Sequence, residues 1–146
     1  MEKKKIDWEN IGFGYIKTDK RFVAHYKDGK WDEGGLSDDD NIVLNESACV
    51  LQYAQTAFEG LKAYETYDKR IVCFRPDLNA ERMAQSCRRM CMPVFDEDKF
   101  ISAVRAVVKA NEAFVPPYGT GASLYLRPYM FGTTPVVGVK PASEFE

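Results

Sequence analysis

Hydrophobic and polar positions alternate in short bursts along the first third of the chain. Phe13-Gly14-Tyr15-Ile16 reads as a short strand, and Arg21 to Lys27 as a second, with Phe22, Ala24 and Tyr26 on one face. Asp28-Gly29 is a two-residue hairpin signal, so Lys30-Trp31-Asp32 is expected to be the returning strand. Residues 1–11 are polar without a period and predict a loose arm. Gly34 to Asp40 predicts a polar loop, and Ile42-Val43-Leu44 a further brief strand. The pattern then changes within Tyr53-Ala54-Gln55-Thr56-Ala57-Phe58-Glu59-Gly60-Leu61-Lys62-Ala63-Tyr64. Tyr53 to Gln55 can close a helical turn. From Thr56 onward the period is two, which puts Phe58 and Gly60 on one face, with Glu59 and Leu61 on the other. A glycine inside a strand marks either a bulge or a close approach to the backbone.

Ile71-Val72-Cys73-Phe74 follows as an apolar strand, ended at Arg75 because the residue before a proline stays extended. Ala80, Met83, Ala84, Cys87, Met90 and Cys91 recur at helical spacing until Pro93 stops them. Asp96 is a good N-cap, with Phe95 and Phe100 placed as a hydrophobic staple. The helix it starts carries Phe100, Ile101, Val104, Val107 and Val108 on one stripe. Ser123 to Phe131 predicts the longest strand, and the proline-bearing tail after it an ordered loop or linker. The order of elements predicts an α+β domain, an antiparallel sheet (a meander) with two main helices packed on one side.

Composition adds limits. The chain has 146 residues, 45% hydrophobic and 13% aromatic, enough to bury a core of ordinary size. A formal net charge of −2 gives no electrostatic case for nucleic acid. No stretch approaches the roughly 20 apolar residues of a membrane span, and Met1 to Lys5 lacks the apolar run of a signal peptide, so a cytoplasmic location is expected. Four cysteines in such a chain do not form a disulfide framework. Cys87 and Cys91 share a helix face and, with His25, sketch a metal site, but zinc motifs use tighter pairs, and buried small hydrophobes is the better reading. Asp38-Asp39-Asp40 is read as a solvated tip, and no metal is expected.

Two arginines stand out chemically. Arg82 lies about one turn into the helix after Pro76, where the macrodipole disfavours a cation unless an anion is shared with the free N–H groups. The alternative is a surface arginine paired with Asp77 or Glu81. Arg127 alternates with Tyr125 and Tyr129 on one face, with Leu124, Leu126 and Met130 on the other. Its planar fork suits a carboxylate, and the tyrosines can donate to the same anion. Residues alone leave a site and an ordinary polar strand face equally open.

Taken together, Tyr53 to Tyr64, Phe74-Arg75-Pro76-Asp77-Leu78-Asn79-Ala80-Glu81-Arg82-Met83 and Ser123-Leu124-Tyr125-Leu126-Arg127-Pro128 resemble the branched-chain amino acid aminotransferases, pyridoxal-phosphate enzymes of fold type IV. The resemblance runs from Phe13-Gly14 to Gly138-Val139. It implies that Arg82 contacts the phosphate of pyridoxal phosphate. Phe13, Tyr53 and Phe58 would wall a side-chain pocket beside the bare Gly60, and Tyr125 and Arg127 would meet the substrate, Arg127 taking the distal carboxylate of glutamate. The loop of Val137 and Val139 would reach a neighbouring subunit's pocket, which implies a homodimer. The substrates implied are branched-chain amino acids, glutamate and their 2-oxo acids. Residues 1–134 would form the small domain and 135–146 the start of an interdomain loop. The Schiff-base lysine belongs to a larger domain outside this sequence, and Lys62 does not match it, so the chain alone is expected to be inactive. A D-amino acid transaminase, an aminodeoxychorismate lyase and a non-catalytic binding or dimerisation module are the alternatives.

Overall fold

A computed structural model describes residues 2–12 and 14–146. Phe13, expected in a first strand and in the pocket wall, lies outside the described residues. Among the described residues, nine short strands and three α-helices follow in the order β1 Arg21–Val23, β2 Tyr26–Lys27, β3 Lys30–Trp31, β4 Gly35–Ser37, α1 Cys49–Tyr53, β5 Thr56–Phe58, β6 Leu61–Glu65, β7 Ile71–Cys73, α2 Pro76–Arg89, α3 Glu97–Ala110, β8 Leu124–Leu126 and β9 Tyr129–Phe131. The α+β class with antiparallel pairing is as expected, and the pairing is divided among β1-β4, β2-β3, β5-β9 and β7-β6-β8.

Two of these ladders are one. Phe58 lies opposite Tyr129, and Leu61 opposite Leu126, with two residues between on each side. The register therefore runs through unbroken, and no bulge is inserted at Glu59-Gly60. The Glu59 N–H donates to the Pro128 carbonyl at 2.8 Å, while Pro128 has no N–H of its own to offer. The long strand expected from Ser123 to Phe131 is thus interrupted at Arg127-Pro128 without losing its place.

The inner face of this ribbon carries Ala57, Leu61, Ala63, Leu126 and Met130, all buried. Ala80, Met83, Ala84 and Cys87 of α2 and Phe100 and Val104 of α3 are buried too, and most of these join the inner face in one core. Small residues on the strand and on the helix let the two backbones approach. Asp96 caps α3 as expected, its side chain accepting from the Lys99 N–H at 3.0 Å.

Other expectations need correction. Ile42 to Leu44 and Gly14 to Ile16 form no strand, and the presumed loop at Gly34 holds β4, which pairs with β1. The start of the chain is anchored, because the Lys4 N–H donates to the Ala113 carbonyl at 2.9 Å and Lys3 pairs with Glu65 at 2.9 Å. The helix α2 ends before Cys91, whose φ of 54° turns it into solvent; of this pair of cysteines only Cys87 is buried. Among the described residues no His/Cys/Asp/Glu group is arranged to hold a metal, and no helix is long and apolar enough to cross a membrane. Of the two readings of the tail, the ordered loop holds: Phe145 exchanges both main-chain bonds with Tyr26, and Glu146 with Phe131, so residues 144–146 lie between β2 and β9.

Burial pushes the Cys87 thiol up to about 11. A charged maleimide is therefore expected to label Cys91 rapidly and Cys87 only on unfolding, as peptide mapping would show. Glu65 is held by Lys69, Lys3 and the Tyr118 N–H, which lower its carboxyl to about 2 from an ordinary value of 4.5. A depressed carboxyl stabilises the fold above its unfolded value and ceases to do so as the pH falls through the folded one. Glu65→Gln should cost about 1 kcal/mol at neutral pH, a deficit that closes between about pH 4.5 and 2 in urea titrations.

Candidate active site

The unbroken register decides which side chains meet. Phe58, Gly60 and Lys62 stand opposite Tyr129, Arg127 and Tyr125, and opposed residues share a face. All six residues are exposed, although three are aromatic.

Arg127 is the centre of this outer face. Its guanidinium carbon lies 4.4 Å from the Phe58 ring centroid and 5.2 Å from that of Tyr125. Its Nε donates to the Tyr125 hydroxyl at 3.0 Å. Two rings and one oxygen thus fix the group, and its terminal nitrogens meet no acceptor among the described residues. A Cβ added at Gly60 would fall 2.5 Å from the Tyr125 hydroxyl and 3.2 Å from the ring carbon that carries it. The glycine is where it is because Tyr125 lies across it.

Arg82 serves the other edge. It is the seventh residue of α2, nearly two turns along, beyond the reach of the macrodipole argument made from the sequence. Neither Asp77 nor Glu81 pairs with it; Asp77 binds Arg75. Its Nε and one terminal nitrogen grip the two oxygens of Glu59 at 3.1 and 2.8 Å. Asn79 donates to the same carboxylate at 2.7 Å and to the Gly60 carbonyl at 3.2 Å. Burial alone would push the Glu59 carboxyl up, and Arg82 and Asn79 outweigh it, so it stays ionised below its ordinary range.

The Tyr53 hydroxyl closes onto the Val137 carbonyl, tying the end of α1 to the loop. The side chains of Val137 and Val139 project outward, 71% and 90% exposed. Tyr53 itself is half-exposed. The structure therefore gathers Phe58, Gly60, Tyr125 and Arg127 on one surface, joins Arg82 to that strand through Glu59, and joins Tyr53 to Val137.

No protein-family model matches the chain. A curated branched-chain-amino-acid aminotransferase of Haemophilus influenzae is 51% identical over 142 residues, covering 97% of this chain and 41% of that protein. In sequence, this chain resembles the branched-chain aminotransferases. It spans about two fifths of the length of these curated relatives, the one from Helicobacter pylori (48% identical) included. The fold agrees. The solved branched-chain aminotransferase of Escherichia coli superposes with a TM-score of 0.63 at 22% identity, over 86% of this chain and 38% of that one. A second branched-chain aminotransferase, solved in complex with N-(5'-phosphopyridoxyl)-L-glutamate, gives 0.61 at 23% identity, over 86% of this chain and 39% of that one.

Sequence reasoning passed over Glu59 and Asn79. A signal for Asn79 was present: it occupies the helical stripe of Ala80, Met83 and Cys87, and an amide at a core position needs polar partners. Gln55 was missed likewise. Its buried amide accepts from the Ala142 N–H and donates to the Met90 carbonyl, both at 2.9 Å.

Gly60→Ala should move Tyr125 off its seat at a stability cost of about 1 kcal/mol. Because the nearest atom is a hydroxyl, adding Tyr125→Phe is expected to return part of that loss. Thermal melts of the two variants check the non-additivity.

Proposed function

We propose that this chain is the small-domain part of a branched-chain amino acid aminotransferase, moving the amino group between Leu, Ile or Val and 2-oxoglutarate with pyridoxal phosphate. Residues 1–134 are the small domain, and 135–146 are the packed start of a connection to a larger one. The observation that carries the reading is the outer face of the ribbon, where one arginine is held between aromatic rings with terminal donors that no described residue takes up.

A pocket for this exchange has two incompatible guests, an aliphatic side chain and a distal carboxylate. Phe58, Tyr125 and Tyr53 give an aliphatic group contact without polar loss. When 2-oxoglutarate occupies the same space, Arg127 offers its terminal nitrogens to the carboxylate, and the rings keep it from following solvent. The bare Gly60 lets Tyr125 lie flat across the strand, beside the space the guest would take.

Pyridoxal phosphate, when bound, supplies the electron sink for amino-group exchange. The fit of this chain to it rests on Arg82. Glu59 uses two of its nitrogens, and the third meets no acceptor among the described residues, so one donor is left for a phosphate oxygen. Lys62, on the outer face opposite Tyr125, is not assigned the cofactor's lysine, which we place in the larger domain. The projecting Val137 and Val139 support a loop that meets a second subunit in a homodimer. The four free thiols suit a cytoplasmic enzyme.

In the full-length protein, Arg127→Ala should raise KM for 2-oxoglutarate ten- to a hundredfold while changing KM for leucine by less than about threefold. Steady-state kinetics with both substrates checks this. Equal effects on both, or turnover of D-alanine in preference to leucine, would discard the assignment. The isolated chain should show no transamination.

A further inference from the structure

We propose that Glu59 and Asn79 are positioning residues, through which one part-buried carboxylate–amide pair sets the arginine for the cofactor and the glycine for the substrate. The inference rests on the reading of Arg82 and Arg127 given above. It assigns to neither Glu59 nor Asn79 any contact with substrate or cofactor.

Glu59 points away from the outer face, towards α2, and its side chain is only 11% exposed. A carboxylate so placed needs compensation, and it has three donors: Nε and a terminal nitrogen of Arg82, and Nδ2 of Asn79. The two-point grip fixes the plane of the Arg82 guanidinium. Arg82 itself is about half exposed, so without that grip its long side chain is free to adopt many rotamers. Binding a phosphate would then require ordering it first.

Asn79 extends the device to the other side of the strand. Its amide, 6% exposed, donates to Glu59 and also to the Gly60 carbonyl. The same glycine lies under the Tyr125 hydroxyl that accepts from Arg127. The Gly60 main chain is therefore held from below by Asn79, and Tyr125 rests on it from above. No other side chain contacts both Glu59 and Gly60 by hydrogen bonds among the described residues.

The two residues should thus separate in their effects. Glu59→Gln keeps the size and the Asn79 contact but loses the ionic grip on Arg82. It is expected to weaken pyridoxal phosphate binding about tenfold, read by cofactor absorbance in equilibrium titration, with KM for 2-oxoglutarate changed less than about twofold. Asn79→Asp removes both donated bonds and sets a second carboxylate beside Glu59. It should weaken the cofactor by a similar factor and also raise KM for 2-oxoglutarate about fivefold, leaving KM for leucine within about twofold. Combining Glu59→Gln with Arg82→Lys should weaken binding little more than Arg82→Lys alone, because Glu59 acts through Arg82.

If Arg82→Lys weakens the cofactor while Glu59→Gln does not, or if the two effects multiply independently, the positioning role is overturned and the reading of Arg82 survives. If Arg82→Lys leaves cofactor affinity unchanged, that reading fails and the positioning role with it. Melting curves on each variant keep the test open: a loss of affinity that follows loss of fold, with both substrates' KM rising alike, also overturns the proposal.

Discussion

The structure depends on the antiparallel register between residues 56–63 and 124–131. Pairing with a period of two sends each position to one of two faces, and a slip by one residue would exchange them all. Here the register passes through the point where the ladder itself lapses, at Glu59-Gly60 against Arg127-Pro128. The lapse has a physical cause. Pro128 donates nothing, and Gly60 has no side chain to hold its neighbour. The bond from the Glu59 N–H to the Pro128 carbonyl keeps the strands aligned across the gap. Small inner residues then draw α2 against the ribbon, and the aromatic outer residues are left uncovered.

That arrangement explains which parts were legible in the sequence. Alternation from Thr56 and from Ser123 was strong enough to place Phe58 and Gly60 on one face, and Tyr125, Arg127 and Tyr129 on another, before any pairing was known. The structure adds that these are one face. No local pattern holds that information, because it comes from the register between strands far apart in the chain. The helices were legible for a different reason: Asp96 is a cap whose side chain has a single use, and the stripes of α2 and α3 follow the helical period.

The failures share a cause. Ile42 to Leu44 has strand-forming residues but no partner strand among the described residues, while Gly35–Ser37 has poor ones and pairs with β1; strand formation follows the partner more than the propensity. The distance of Arg82 from the start of its helix was misjudged, and its partner Glu59 comes from a strand that only tertiary packing brings near. The tail, read as an ordered loop or linker, is ordered through bonds of which its prolines gave no sign: Phe145 is 2% exposed and bonded to Tyr26. Main-chain bonds of isolated residues leave no periodic trace.

Gln55 has a consequence of its own. Its single amide holds the main chain of Ala142 with one atom and that of Met90 with another, so three segments far apart in sequence meet at one side chain. Strands and helices pool many weak bonds and fail gradually, but a three-way knot of this kind either holds or opens. Opening at Gln55 should therefore free the main chain of Ala142 together with the end of α2, while Phe145 and Glu146 stay bonded to Tyr26 and Phe131. Hydrogen exchange at Ala142 would then report on a partial opening that spares Phe145 and the strands bearing Arg127.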